Sequence, residues 1–318
     1  MDRHKVIFDT DPGIDDAVAL LLLHAMPRVD LQGITTVFGN ASIEDCTRNA
    51  LYICERFELP YGVFQGAGVS FRGAEEDEYP DFVHGRDGLG DVGFLAPSKR
   101  PAKVAAADFI VQAARLSVDP IEILAVGRMT NIAQALEMAP DIKSKLRRIV
   151  MMGGAVDVSG NVTEWAEANI YGDPEAADYI FESGVPVLMV GLDATLKHQI
   201  SRTQLAALTR DLGDAGDFIW QIKQHYLKFY ASKGVFDGFP IHDATAALAM
   251  AFPGDFKMVE GDLRCVTEGE QRGRTTFSER QGGFHQAALS AEGPELWRRF
   301  DAMMRDQFGA SPENPQQG

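Results

Sequence analysis

The stretch that decides the fold is Val6-Ile7-Phe8-Asp9-Thr10-Asp11-Pro12-Gly13-Ile14-Asp15-Asp16-Ala17. Val6-Ile7-Phe8 is a short β-prone apolar run, the pattern of a parallel strand buried on both faces. Asp9 and Asp11 sit two apart, so on an extended chain they point to one side. Pro12-Gly13 ends the strand and turns the chain. Asp15 and Asp16 then fall where a helix begins, ahead of Ala17-Val18-Ala19-Leu20-Leu21-Leu22-Leu23, and a carboxylate there caps free N–H groups and meets the positive helix end. Capping accounts for one aspartate, two at most. It does not account for four converging at a strand tip. Like charges brought together raise one another's pKa or demand a counter-charge. No Lys or Arg lies between Lys5 and Arg28, so the nearest local counter-charge is a bound cation. Oxygen donors without Cys or His suit Ca²⁺ or Mg²⁺ rather than zinc. The carboxyl end of a strand is also where α/β proteins build their sites. The bland alternative, a capped helix with solvated acids, leaves the convergence unexplained.

Outward from this loop, strands and helices alternate. Leu31 to Phe38 reads as a second strand ending at Gly39-Asn40, Ser42-Ile43-Glu44-Asp45 opens a helix, and Tyr61 to Phe64 is a third strand. Between Gly66 and Lys103 the regular pattern dissolves into Gly, Pro and mixed charge, including Glu75-Glu76-Asp77-Glu78. A loop this long is usually functional, and its centre, Val83 to Gly90, is a candidate lid. The rhythm resumes with a helix over 104–116, a strand over 121–126, a helix over 130–138 and a strand over 148–152. Asp173-Pro174-Glu175 starts another helix, and 185–192 is a further strand. The spacing then predicts a helix over 217–232, an edge hairpin from 256–267 and 275–278, and a last helix over 294–308. The fold expected is α/β: a single domain over 1–308, around a mostly parallel, Rossmann-like open sheet flanked by helices, with extra C-terminal helices and an edge hairpin. The Pro-rich polar tail, 309–318, is expected to be disordered.

Length and composition set the bounds. The 318 residues are 45% hydrophobic and 24% charged, ordinary for a globular protein with an ample core. A formal charge of −16 argues against a nucleic-acid partner, which needs clustered Lys and Arg. Cys46 and Cys54 stand two turns apart on an expected helix, about 12 Å, too far for a disulfide. With Cys265 they read as reduced thiols of a cytoplasmic protein. No apolar run reaches transmembrane length and no targeting segment is evident.

Further polar groups fall at the same expected sheet edge: Asn40 after the second strand, Val126 to Asn131 after the 121–126 strand, and Asn161 to Asn169 after Met152-Gly153-Gly154. His242-Asp243 opens a late helix. Singly, each suits a turn or a cap; together they favour a site. No dinucleotide fingerprint, P-loop or nucleophile elbow occurs.

The run Asp9 to Ala17 resembles the N-terminal signature of the inosine-uridine-preferring nucleoside hydrolases. The resemblance extends through Gly39-Asn40, Val126 to Ala133, Met152 to Ala155, Asn161, Ala166 to Ile170, Asp173 to Ala177 and His242-Asp243. It implies Ca²⁺-dependent hydrolysis of the N-glycosidic bond of ribonucleosides to free base and ribose. By it, Asp11, Asp16, Asp243 and the carbonyl of Val126 would ligate Ca²⁺, with Asp11 also the base for a water bound to the ion. Asp15 and Asn169 would hold the ribose 2′- and 3′-hydroxyls, Asn40 would lie near the sugar and the attacking water, and Asn161 and Glu167 would hold the 5′-hydroxyl. His84 would belong to a loop closing over the site, and His242 would sit near the leaving base, where it is the first choice of proton donor; Tyr226, Tyr230 and Phe236 are candidate base contacts, equally explicable as core. Asp9 would support the ligands from behind. A homodimer or homotetramer acting on a small nucleoside is implied. Two departures bear on substrate preference: Ala168 replaces an aromatic residue common in relatives, and Gly127-Arg128-Met129-Thr130-Asn131 replaces Gly-Pro-Leu-Thr-Asn. The alternatives are a Mg²⁺-dependent phosphohydrolase with Asp9 as nucleophile, and a nucleoside- or ribose-binding protein without turnover.

Overall fold

A computed structural model describes residues 3–73 and 79–309. The acidic run Glu75 to Glu78 and the tail beyond Gly309 lie outside the described residues. The strands are β1 (His4–Thr10), β2 (Val29–Thr36), β3 (Val63–Gln65), β4 (Ile121–Ala125), β5 (Leu146–Met152), β6 (Val187–Val190), β7 (Gln199–Ser201), β8 (Gly238–Pro240), β9 (Phe256–Cys265), β10 (Thr275–Glu279) and β11 (His285–Ala291). Nine of them form one sheet in the order β10-β9-β11-β6-β5-β4-β1-β2-β3. From β6 through β3 every pairing is parallel.

The apolar run at 6–8 is the centre of this sheet. Val6 and Phe8 pack into one core cluster and Ile7 into the other, all three fully buried. That is why the run does not alternate with polar residues: helices cover both faces. The helix Ile14–Ala25 lies on the Phe8 face against the helix His242–Ala251, both lined with small and branched apolar side chains.

The connectivity places the site. From β1 the chain moves outward to β2 and β3, then returns to β4 on the other side of β1 and continues to β5 and β6. The strand order therefore reverses between β1 and β4, with Asp9 paired to Thr35 on one side and Ala125 on the other. Beyond the carboxyl ends of two such strands the crossovers diverge and leave a crevice. Asp11 and Val126 lie one residue beyond those two ends.

The expected edge hairpin exists as β9 and β10, antiparallel. It joins the sheet through a strand the sequence did not announce: β11 pairs parallel with β6 and antiparallel with β9. Its His-Gln-Ala-Ala-Leu-Ser-Ala sequence has weak β-propensity, and tertiary packing of the fully buried Ala287 and Ala288 places it. The second strand ends at Thr36, short of the expected Phe38. The helix Arg202–Arg210 and the β7–β8 pairing were also unforeseen. All three cysteines are free and buried. Among the described residues no helix is long and apolar enough to cross a membrane.

Candidate active site

The turn after β1 is held by its own acids. Gly13 is the helix N-cap, and Asp16 reaches back so that its Oδ2 accepts the Gly13 N–H at 3.0 Å. The Thr10 hydroxyl donates to the other oxygen at 2.6 Å, and Asn40 Nδ2 donates to Oδ2 at 2.9 Å. Asn40 ties β2 to this turn twice more, through its N–H to Asp11 Oδ2 (2.9 Å) and its side chain to the Asp11 carbonyl (3.1 Å). Gly39 and Gly127 press on the Asp11 carboxylate from two sides, where a Cβ on either would collide with it. Asp11 Oδ1 is left buried and without a hydrogen-bond partner.

Asp9 lies behind this layer, fully buried, its Oδ1 accepting from Thr35 Oγ1 (2.5 Å) and Asn131 Nδ2 (2.8 Å). Burial pushes its carboxyl up to about 7, against those two hydrogen bonds. Held from behind by Thr35 and Asn131, Asp9 stands where a support for the Asp11 turn stands rather than a nucleophile. Neither Thr130 nor Asn131 caps the helix Thr130–Met138. The Thr130 hydroxyl donates to Asp173 and Asn131 supports Asp9.

The second half of the chain closes the cluster. The N–H of Asp243 donates to Asp15 Oδ2 at 3.1 Å. Lys223 Nζ stands 2.8 Å from Asp15 Oδ1, both side chains buried, and 4.5 Å from the Tyr226 ring centre. Although burial pushes Asp15 up, the Lys223 ammonium, His242 and the Asp243 N–H together hold it below the usual carboxylate range. Asp11 and Asp243 go the other way: burial and the neighbouring Asp16 push both well up, with Asp15 and Asp11 adding to the push on Asp243. Asp16 is raised to about 6, chiefly by burial. Four carboxylates from residues 11 to 243 thus share one electrostatic neighbourhood.

His84 is drawn in from the long loop. Its Nδ1 accepts the Ile14 N–H at 3.2 Å and its ring stands edge-on to Tyr226 at 5.5 Å. Burial carries it down to about 3, so it is neutral. His242 bonds Thr195 Oγ1 through Nδ1 (2.8 Å) and the Tyr230 hydroxyl through Nε2 (3.4 Å). Burial lowers its pKa and the Lys223 charge lowers it further, against Asp15. Its surroundings therefore favour the neutral imidazole more than water does.

On the β4–β5 side, Asn169 Nδ2 donates to the carbonyls of Val126 (2.8 Å) and Met152 (3.1 Å). Glu167 is buried and accepts the N–H groups of Asn169 and Gly154. Asn161 is exposed, its Oδ1 taken by the Ala168 N–H at 3.0 Å, so it belongs to the rim rather than the cluster. Tyr226 and Tyr230 pack beside the two histidines, but Phe236 is 70% exposed and lines a separate hollow with Trp220 and Arg202. Phe236 therefore lies away from the cluster.

The donors are all oxygen, as a hard divalent ion requires. The partnerless Oδ1 of Asp11 and the mutual push among Asp11, Asp16 and Asp243 are what such an ion relieves. Among the described residues no three His, Cys, Asp or Glu side chains stand as a closed cage. The chemistry of the donor set fits the ion.

Two residues escaped sequence reasoning. Lys223 supplies the counter-charge that the local sequence lacked, from 208 positions away. Its signal was its place in the apolar stripe of its helix, in step with Ile219, Ile222 and Tyr226, where a lysine needs a buried partner. Arg128 was noted only as a departure. It is buried over the Phe38 ring at 4.2 Å, and its charge restrains the upward shift of Asp11.

Comparison with known proteins follows the same pattern. The family model described as inosine-uridine preferring nucleoside hydrolase matches residues 6–301. A probable uridine nucleosidase 1 of Oryza sativa subsp. japonica is 38% identical over 87% of this chain and 86% of its own. The pyrimidine-specific ribonucleoside hydrolase RihB of Escherichia coli O1:K1 is 35% identical over 88% of each chain. Among solved structures, a plant nucleoside hydrolase superposes with a TM-score of 0.91 at 32% identity, covering 95% of this chain and 98% of that one. A purine-preferring ribonucleoside hydrolase from Gardnerella vaginalis gives 0.90 at 33% identity with the same coverage.

Proposed function

This chain belongs to the inosine-uridine preferring nucleoside hydrolase family and is an N-glycosyl hydrolase of ribonucleosides, and we propose that it works with Ca²⁺, with Asp11 as the base that activates water. The observation that carries the proposal is the meeting of Asp11, Asp15, Asp16 and Asp243 at the reversal point of the sheet, with one Asp11 oxygen buried and partnerless. Asp11, Asp16, Asp243 and the Val126 carbonyl would hold the ion. When bound, it supplies positive charge that lowers the pKa of water and offsets the clustered carboxylates.

The chain's own residues do the rest. Asp15 and Asn169 grip the sugar diol, and Glu167 with Asn161 at the rim receives the 5′-hydroxyl, fixing C1′ in place. Asn40, already bonded to Asp11, borders the path of the water. Asp11 takes a proton as the water oxygen bonds to C1′. The C1′–N bond breaks with its electron pair passing to the base, and the carboxylates stabilise the oxocarbenium character that develops. The departing nitrogen takes a proton from the His242–Tyr230 pair, whose two side chains are already hydrogen-bonded. His84, neutral and packed on Tyr226, walls the base side.

Uridine is the first substrate to test, because the rice and Escherichia coli relatives are named for uridine and pyrimidine nucleosides. The experiment is a nucleoside panel followed by base release in the ultraviolet and by reducing sugar. Free base and ribose in equal amounts, lost in Asp11→Ala, support the proposal. Equal turnover by Asp11→Ala and wild type would sink the assignment of the base.

A further inference from the structure

The site holds a lysine that hydrolysis as just described does not use. Lys223 is 1% exposed on the helix Gly213–Ser232, and its Nζ lies 2.8 Å from Asp15 Oδ1. The ring centres of Tyr226 and Phe239 lie 4.5 and 4.9 Å from the same atom. The other Asp15 oxygen accepts the N–H of Asp243 at 3.1 Å. Asp15 is therefore pinned by two elements besides its own helix. Capping does not require this, because Asp16 already satisfies the Gly13 N–H. Packing does not require it either: apolar side chains of the same volume would fill the space without the cost of burying two charges. What the pair does achieve is to fix the plane of one carboxylate. Each carboxylate oxygen carries two lone pairs, so one on each side remains for a ligand.

We infer that Lys223 is a positioning residue, which orients Asp15 toward the sugar 2′-hydroxyl and so sets the preference for ribonucleosides over 2′-deoxyribonucleosides. This rests on Asp15 gripping the diol, as proposed above. The Lys223 stem reaches Asp15 from a helix that carries Tyr226 and Tyr230, so the sugar grip and the base-side wall are braced by one element.

The test compares uridine with 2′-deoxyuridine, and inhibition by ribose with inhibition by 2-deoxyribose, in wild type, Lys223→Met, Asp15→Asn and the double variant. Lys223→Met is expected to lose about 10²-fold in kcat/KM for uridine, the usual cost of a misplaced contact. Activity toward 2′-deoxyuridine should change little, so the ribo-to-deoxy ratio collapses, and ribose should inhibit no better than 2-deoxyribose. The double variant should be no worse than Asp15→Asn, because the two residues act as one unit. If Lys223→Met does not fold, Lys223→Arg and Lys223→Gln decide the matter. The first keeps a charged donor and should keep the ratio; the second should lose most of it. Equal losses on both nucleosides, with the ratio intact, would overturn the role of Lys223 while leaving that of Asp15 standing. An unchanged ratio in Asp15→Asn would overturn the diol grip itself, and the inference with it.

Discussion

Asp11 concentrates the proposed chemistry in one atom: its Oδ2 is spent on the Asn40 N–H, and its Oδ1 is buried with no hydrogen-bond partner. A catalytic base of this kind contributes about 10²–10⁴-fold, so Asp11→Ala should cut base release from uridine by at least that factor, checked by initial rates. Asp9, two residues earlier, makes a separate prediction about stability. Its carboxyl is raised from 3.8 to about 7 in the folded chain, so the folded state holds that proton more tightly than the unfolded one. Its contribution is therefore most favourable below pH 4 and is lost as pH rises through about 7. Asp9→Asn should remove this loss, so that thermal melts of the variant in the presence of chelator fall less between pH 4 and 7 than those of wild type. At this scale the sequence was informative for the aspartates, because their spacing alone puts them at a strand tip. It was not informative for the depressed pKa of His242, which comes from burial and from Lys223, a residue 19 positions away that local spacing does not connect to it.

Among the elements, the helix Pro174–Glu182 shows how one side chain joins several. Asp173 caps it through the Ala176 N–H while its other oxygen receives the Thr130 hydroxyl and the Phe71 N–H. Asp173→Ala removes a cap and orphans buried donors, and should cost about 2–4 kcal/mol in denaturant unfolding. The β9–β10 turn makes a different prediction. Arg274 lies over the Trp165 ring at 4.7 Å and bridges to Ala166, and Arg272 donates to the Tyr171 carbonyl. The hairpin thereby clamps the segment that carries Glu167 and Asn169. Arg274→Ala should raise KM for uridine about two- to fivefold, the worth of a half-buried cation–π contact at the lower end of its range, and leave kcat nearly unchanged. Elements with strong local pattern were legible: the helix Thr130–Met138 and the hairpin lie where periodicity and turn residues put them. β11 was not, because Ala287 and Ala288 become a strand only by filling the space between β6 and β9.

Across the whole molecule, the parallel sheet does two things at once. Reversal of strand order between β1 and β4 opens the crevice, and the return of the chain through residues 223 to 243 brings a lysine and another carboxylate to it. The family signature made Asp243 legible at the site, since its dipeptide is marked. Lys223 belongs to no motif; its place in an apolar stripe marks it as buried, and its partner emerges only once the helix Gly213–Ser232 packs against the helix Ile14–Ala25. With all four carboxylates ionised, as a bound cation would leave them, they face one ammonium and the Arg128 guanidinium, about two positive charges short. One divalent ion makes up that difference. The most direct measurement is calorimetric titration of Ca²⁺ into chelator-treated protein, followed by uridine hydrolysis on the same sample. The expected result is one ion per chain, turnover that is absent before the titration and returns with it, and loss of both in Asp243→Ala. Full turnover in the chelated protein, or Ca²⁺ binding undiminished in Asp243→Ala, would contradict the account.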